Sequence, residues 1–510
     1  MNTYKGLTRR KILRSGLVGG AGLTAVAALA GCNDTQVVVE TRIHEVIKEV
    51  PVERVVTRIV ERQEVVEVER VVVRQVEVEK VVTLVVEEEK VVTRIVEAMP
   101  KPRDVTIVAW NANWGELYND LMMNLARDFE AAFPHVKVDY RFIPRWEEKL
   151  LASVAGGDPP DTTYTSWVAH GNLAFLGVFQ PLDSFARLAG ITRDRYIGSM
   201  WDSSTYQGRL YALPGGADFI AVFRNQDLYE EVGLEEGPAT QDELIEHSLK
   251  LLSQDGLKIT RIGWDPQWRR EFMGFLNGGE FWDEETQSVT PDHPGIVGFL
   301  ERFQAYSTEL DFNRISAFWQ DQPGSSKPGS PFALGKAAYL STGFWARDPL
   351  DKHAADVNYS VSLLPSATGA AEERAWDSVQ GWMYGIPTGA RHPEEAWEFM
   401  KFGFFDNSAR MAVNTLNGPT VLAQQQEWID EMLERIGPGN RIARWFDFFT
   451  GLKNKGEKHW PAIPIGSFYR TEWGKAAEKV FRGLEEPAES MANVKKIATD
   501  ELIKVRRSRA

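Results

Sequence analysis

Residues 208–228 read GRLYALPGGADFIAVFRNQDL, and the fold turns on how this stretch is built. Its first half alternates like a strand as far as Pro214, Gly215 and Gly216, a triplet that breaks regular structure. Its second half, FIAVF at 219–223, is apolar enough for a fully buried strand. The expectation is two strands meeting at a glycine pivot, with one carboxylate, Asp218, where the second begins. A carboxylate at a strand end lies where open α/β sheets bind ligands. A surface-turn aspartate is the other reading of the same residue.

Upstream, VTIVAW at 105–110 reads as a first strand, 119–133 as a helix stopped at Pro134, and 136–142 as a second strand with Val136, Val138 and Tyr140 on one face. This β-α-β order argues for a parallel sheet. A helix over 147–155, the turn GGDPPD at 156–161 and a strand over 162–165 extend it.

The N-terminus is of another kind. Arg9 and Arg10 precede an apolar run over 17–30 that has the length of a signal-peptide core and is too short for a membrane span of ~20 residues. The run ends Leu29, Ala30, Gly31, Cys32, which resembles a bacterial lipobox. That resemblance implies cleavage before Cys32, a diacylglyceryl group on its sulfur and a chain held at the cell membrane outside the cytoplasm. Residues 1–31 are therefore expected to be an export signal, and 32–100 a tether. The tether is low in complexity: 36–97 is dominated by valine, glutamate and arginine, with related blocks at 53, 69, 79 and 89. Valine pairs four apart fit a helical stripe, and 65–78 alternates like a strand. An extended or self-associating stalk, a coiled coil and a disordered spacer are the alternatives.

The chain of 510 residues carries a net charge of -14, which argues against nucleic acid as a partner. A single cysteine excludes a disulfide framework. Eight histidines are scattered without ligand spacing, so no metal or other cofactor is expected. Tryptophan is unusually frequent, with 17 residues, all at or after position 110.

Several blocks in order carry a family resemblance: FEAAFPHVKV at 129–138, AGGDPPD at 155–161, GVFQPLD at 177–183, the 208–228 stretch, PATQDEL at 238–244, FALGKAAYLSTGFW at 332–345, HPEEAWEF at 392–399 and a closing segment at 483–488. Over about 104–505 the chain resembles the extracellular solute-binding proteins, family 1, of ABC importers, which include maltodextrin-binding proteins. Arg224 and Gln241 depart from that pattern at positions where aromatic residues are usual, and 320–331 is a polar loop rich in glycine and proline. The resemblance implies an α/β, two-lobed type II binding-protein fold with discontinuous lobes, 104–217 with 358–405 and 218–357 with 406–510. Three crossings would lie near Ala217 and Asp218, at 358–365 and at 401–407. It also implies a small-molecule solute in the interlobe cleft and an ABC permease as partner.

Positions after strands nominate the cleft residues: Asn111 and Trp114, Trp146, Ser166 and Trp167, Asp218, Trp264 and Asp265, Phe344 and Trp345, and Trp382. Indole faces stack on the C–H faces of sugars, and polar side chains bond the hydroxyls. Trp201, Trp397, Trp428 and Trp473 sit in helical patterns and are expected in the core. A carbohydrate receptor, with a neutral oligosaccharide as solute, is the leading reading. A receptor for a polyamine or another cation is an alternative, because tryptophan with aspartate also makes a cation site. An anchored glycoside hydrolase would need a carboxylate pair such as Asp218 and Asp265 flanking one bond. A self-associating surface protein rests on the tether alone.

Overall fold

The computed structural model describes residues 104–320, 322–324, 327–346, 350, 352–374, 379–415, 417–436 and 458–508, with short strands between 54 and 97. The first run forms the expected parallel arrangement: β1 (Val105–Ala112), α1 (Glu116–Ala132), β2 (Val136–Ile143), α2 (Trp146–Ala155) and β3 (Thr162–Ser166). β1 lies between β2 and β3 and is parallel to both. Alternation along β1 buries Ile107 and Ala109 against Met122 and Phe129 of α1 and exposes Thr106. Buried Asp161 fixes the turn before β3. Its carboxylate accepts from the backbone N–H groups of Val108 at 2.8 Å, Arg391 at 3.0 Å and His392 at 2.8 Å.

The 208–228 stretch departs from expectation, because β4 (Ala212–Asn225) is one continuous strand of 14 residues. The break expected at Pro214, Gly215 and Gly216 is a register irregularity inside it. The glycines serve packing. A Cβ on Gly215 would stand 2.1 Å from the Trp382 ring, and one on Gly216 2.6 Å from it. Asp218 consequently lies within a strand and not at the start of one.

Three further strands, β5 (Tyr339–Gly343), β6 (Tyr359–Ser362) and β7 (Val379–Gly385), complete a seven-stranded sheet. Its order is β5-β4-β7-β3-β1-β2, with β6 also on β4, and β7 runs antiparallel to β3. From Ala212 to Phe219, β4 pairs with β7, and from Ile220 to Arg224 with β5. The handover falls immediately after Asp218 and Phe219. One strand therefore serves three cores: Leu213 packs with the β1 layer, Ala217 and Phe219 with Trp428 and Met432, and Ile220 and Val222 with the helices beyond.

Those helices begin with α3 (Gln241–Lys250), started by a reciprocal cap. Thr240 accepts from the Glu243 N–H at 3.1 Å, and Glu243 accepts from the Thr240 N–H at 3.1 Å. α4 (Arg270–Leu276) and α5 (Gly466–Phe481) share the core that holds Trp264 and Trp473. The four tryptophans expected in cores behave as such: Trp397, Trp428 and Trp473 are buried, and Trp201 is half-buried against Tyr196.

Two crossings differ from the expected positions. Past 358–365 the chain stays with the second half: Leu364 is buried in the α3 core and Arg374 donates to the Pro238 carbonyl at 3.4 Å. It rejoins the first half at β7. Beyond 401–407, Met411 and Val421 still pack in the β1 core, because the helix Pro393–Lys401 runs on through a π-helical turn, Phe402–Asp406.

Residues 1–101 form a separate unit. Its described pieces are strands. Arg54–Val60, Gln63–Glu69 and Thr93–Glu97 pair antiparallel, as do Gln75–Val78 and Val81–Leu84. This corrects the helical stripe and coiled coil, and it follows the valines' β-branching. The expected export signal, with Arg9, Arg10 and Cys32, lies outside the described residues.

Candidate functional site

Where β4 changes partners, side chains from both halves enclose a chamber of about 280 Å³. The first half supplies Trp114 after β1, Tyr118 from α1, Tyr164 from β3, Trp167 after β3 and Trp382 from β7; Trp345 closes it from beyond β5. Trp114 meets the Tyr164 ring edge-on at 5.0 Å and lies 5.8 Å from Trp382. Trp382 is only 5% exposed. The two glycines of β4 give it room, so the residues read as a chain break are what let this indole reach the chamber. The Tyr118 hydroxyl donates to the Trp345 carbonyl at 3.4 Å and ties the two sides together.

Polar groups converge at one wall. A two-way backbone bridge between Ala217 and Gly418, at 2.9 and 2.8 Å, sets Asn417 beside Asp218. The Asn417 amide N–H donates to the Asp218 carboxylate, and its carbonyl oxygen accepts from the Trp382 indole N–H at 3.4 Å. Burial pushes the Asp218 carboxyl up to about 7, against an opposing pull from the Arg269 guanidinium. Tyr164 is also pushed well up by burial, helped by the nearby Asp218.

Two wider spaces adjoin the chamber and share its residues. One, of about 810 Å³, includes Ser166, Trp167, Asp218 and Trp345 with Glu147, Arg269, Arg270 and Arg470. The other, of about 360 Å³, lies around Trp167, Arg269, Arg270 and Arg470. Burial raises the Glu147 carboxyl, as does its neighbour Glu148, while a hydrogen bond from Ser467 pulls it down. Arg470 is held by Glu271 at 2.8 Å and lies 5.3 Å over the Trp167 ring. Within this cleft, the chamber has the apolar character with a few converging polar groups of a small-molecule site, while the adjoining spaces are lined largely by charged side chains.

Of the nominated residues, the fold brings Trp114, Ser166, Trp167, Asp218, Trp345 and Trp382 into this cleft. Trp264 does not reach it. It is 0% exposed in the α3 core, and its carbonyl accepts from the Tyr306 hydroxyl at 2.8 Å. Asp265 is buried as well, its carboxyl raised to about 6 by burial, and it lines none of these spaces. The Asp218 and Asp265 pair that hydrolysis would need is therefore not presented together. Trp146 packs edge-on to Tyr164 at 5.0 Å and supports the chamber wall from outside. Asn111, 1% exposed near the end of β1, lines none of these spaces. The Phe344 side chain lies outside the described residues.

Sequence reasoning missed Tyr118, Tyr164, Asn417 and the arginines. Tyr164 alternates with the buried threonines of β3, which could have marked it. Asn417 had no signal, since a backbone bridge from a distant segment puts it there. Among the described residues, no group of three or more His, Cys, Asp or Glu side chains could hold a metal, and no helix is long and apolar enough to cross a membrane.

The family profile described as bacterial extracellular solute-binding protein matches residues 111–406. A binding protein of Brucella abortus is 24% identical over 326 residues, covering 59% of this chain and 71% of that one. The maltotriose-binding protein of Pyrococcus abyssi is 24% identical over 305 residues, covering 58% of this chain and 62% of that one. Among solved structures, the mannotriose-bound CpMnBP1 superposes with a TM-score of 0.66 at 22% identity, over 77% of this chain and 99% of its own. The maltose-bound MalE3 of T. maritima gives a TM-score of 0.62 at 18% identity, over 79% and 100%. The fold is thus the two-lobed α/β arrangement of these proteins, and the chain belongs to the bacterial extracellular solute-binding proteins.

Proposed function

We propose that this chain is the receptor of an ABC importer that takes an oligosaccharide into its interlobe cleft and hands it to a membrane permease. The carrying observation is the chamber itself, with five aromatic side chains from one half, one from the other, and Asp218 held by Asn417 in its wall. Rings stack on the apolar faces of a pyranose, while a carboxylate and an amide bond its hydroxyls. Relatives point the same way by name: one binds maltotriose and another, from Streptomyces coelicolor, diacetylchitobiose. One lobe would comprise 104–218 with 379–421, the other 220–374 with 458–508. The described strands of 54–97 would belong to a tether. Cys32 would carry the lipid that anchors the receptor outside the cytoplasm after export directed by Arg9 and Arg10. A cationic solute fits less well, since Arg269, Arg270 and Arg470 share the cleft.

The test is a thermal-shift screen followed by calorimetry, with neutral and acidic oligosaccharides beside polyamines. A ligand at 100 times its dissociation constant stabilises by about 2.7 kcal/mol, a shift of a few degrees for a domain of this size. Stabilisation by a polyamine and by no saccharide would reverse the assignment.

A further inference from the structure

The strands ahead of the binding domain make a small sheet with a long edge. Arg54–Val60 pairs with Gln63–Glu69, and Gln63–Glu69 pairs with Thr93–Glu97. Among the described residues Gln63–Glu69 is therefore central and the other two strands are edges. The register sets Val55 opposite Val68 and Thr57 opposite Val66, and it sets Val56 opposite Glu67 and Arg58 opposite Val65. Alternation consequently spreads apolar residues over both faces, with Val55, Ile59 and Val66 on one and Val56, Val65 and Ile95 on the other. Sheets this small need more strands or a buried face to be stable.

The two edges differ in how open they are. Natural edge strands are blunted by shortness, proline, lysine or a bulge. Thr93–Glu97 has five residues and is followed by Pro100 and Pro102. Arg54–Val60 has seven, contains neither proline nor lysine, and pairs with its neighbour without a shift of register. Its sequence, RVVTRIV, also suits an antiparallel copy of itself. Turned end for end about Thr57, Val55 meets Ile59, Val56 meets Arg58 and Arg54 meets Val60, so no like charges stand directly opposite. The two nearest registers do worse. Centring on Val56 sets Arg54 against Arg58, and centring on Arg58 sets that residue against its own copy. Within the sheet each arginine already has a glutamate beside it, Arg54 opposite Glu69 and Arg58 diagonal to Glu67.

From this pattern we propose that two copies of the chain join through the tether, Arg54–Val60 of one pairing antiparallel with Arg54–Val60 of the other about a two-fold axis at Thr57. The contact is isologous, so it closes on a dimer and does not propagate into a filament through this edge. It extends the three-stranded sheet to six strands, which supplies the size that the single sheet lacks. Register is set by the arginines, because a slip by one residue about the axis brings two of them together. Two solute-binding units are then held on one joined stalk. The inference rests on the tether strands and is independent of which solute the cleft takes.

Sedimentation of the full chain carrying Cys32→Ser, which removes the only cysteine, tests it. The mass should rise to twice that of one chain as concentration increases. Thr57→Lys sets two like charges against each other at the axis and should return the chain to a monomer, and Thr57→Glu should do the same. An equimolar mixture of these two variants should dimerise again, with melting curves showing that the binding domain of each is folded. Thr57→Cys in the same background should cross-link to its own copy on oxidation, since opposite residues of an antiparallel pair have Cα atoms ~4.5–5.5 Å apart, within disulfide reach. Arg54→Cys should not, because six residues at ~3.4 Å each put it ~20 Å from its own copy. A chain that stays monomeric up to about 1 mM overturns the inference. So does a dimer that survives Thr57→Lys, a Lys–Glu mixture that stays monomeric, or cross-linking as efficient at position 54 as at 57.

Discussion

Replacing Asp218 by asparagine should separate what the residue does for the fold from what it does for the ligand. In the folded chain the carboxyl titrates near 7 instead of near its ordinary 3.8, chiefly because burial penalises the charge. Each pH unit of displacement corresponds to about 1.4 kcal/mol, so carrying the charge at about pH 8 costs the empty protein at most about 4 kcal/mol. The carboxyl faces an open cleft that screens it, and ~1–2 kcal/mol is the expected share. The folded-state value lies above the unfolded one, so the folded chain binds the extra proton between the two. The stability this group contributes is fully present below about pH 4 and is lost as pH rises through about 7. Asp218→Asn removes that slope. Urea titrations at about pH 4 and pH 8 should show a variant close to the parent at the lower pH and more stable at the higher. Asparagine keeps an acceptor for the Asn417 N–H but loses the charge, and hydrogen bonds to charged groups are worth ~1.5–3 kcal/mol. Sugar affinity at about pH 8 should therefore fall by about tenfold to a hundredfold. A variant that is less stable at pH 8 and binds sugar as well as the parent would refute the reasoning on both counts.

Trp345→Ala should weaken sugar binding by ~2 kcal/mol, as loss of a central aromatic anchor does, with little change in melting temperature, whereas Trp264→Ala should lose ~3–5 kcal/mol of stability; calorimetry beside thermal melts checks both. Gly216→Ala would drive a methyl into the Trp382 ring, and it should cost ~1–3 kcal/mol of stability and also impair binding, because the displaced indole is part of the chamber. Cys32→Ser should move the protein from the membrane fraction to the soluble one, and unchanged membrane association would sink the lipid anchor.

The apolar periodicity of 105–166 fixed the β-α-β order, because each strand there buries one face and each helix one stripe. The same logic misread 214–216. Proline and glycine in a sequence announce backbone freedom, and what Gly215 and Gly216 supply is the absence of a Cβ beneath Trp382, a partner more than 160 residues downstream. The site was legible where a nominated residue is carried outward at the end of its strand, as with Trp114, Trp167 and Trp345. It was illegible where the register of the second half decides, so that Trp264 turns inward to the α3 core while Trp268 and Arg269, a turn later, reach the cleft. Asn417 depended on a backbone bridge that no local pattern announces.

The continuity of β4 also bears on how such a receptor responds to its solute. A flexible glycine joint inside the crossing would let the halves move without disturbing the site. Here the crossing is a hydrogen-bonded strand whose neighbours change at Phe219 and Ile220, so the irregularity at 214–216 lies inside the first half and the handover lies beside Asp218. Movement of one half against the other must then alter the surroundings of Asp218 directly. A ligand shifts a two-state equilibrium only by its difference in affinity between the states. Trp345 and Arg269 come from one side of the cleft and Trp114, Tyr164 and Trp382 from the other, so a sugar that touches both sets favours the arrangement in which the halves meet. The carboxylate beside the handover thus belongs to the solute's contacts and to the crossing at once, and this is why a residue that costs the empty fold stability can sit at its centre.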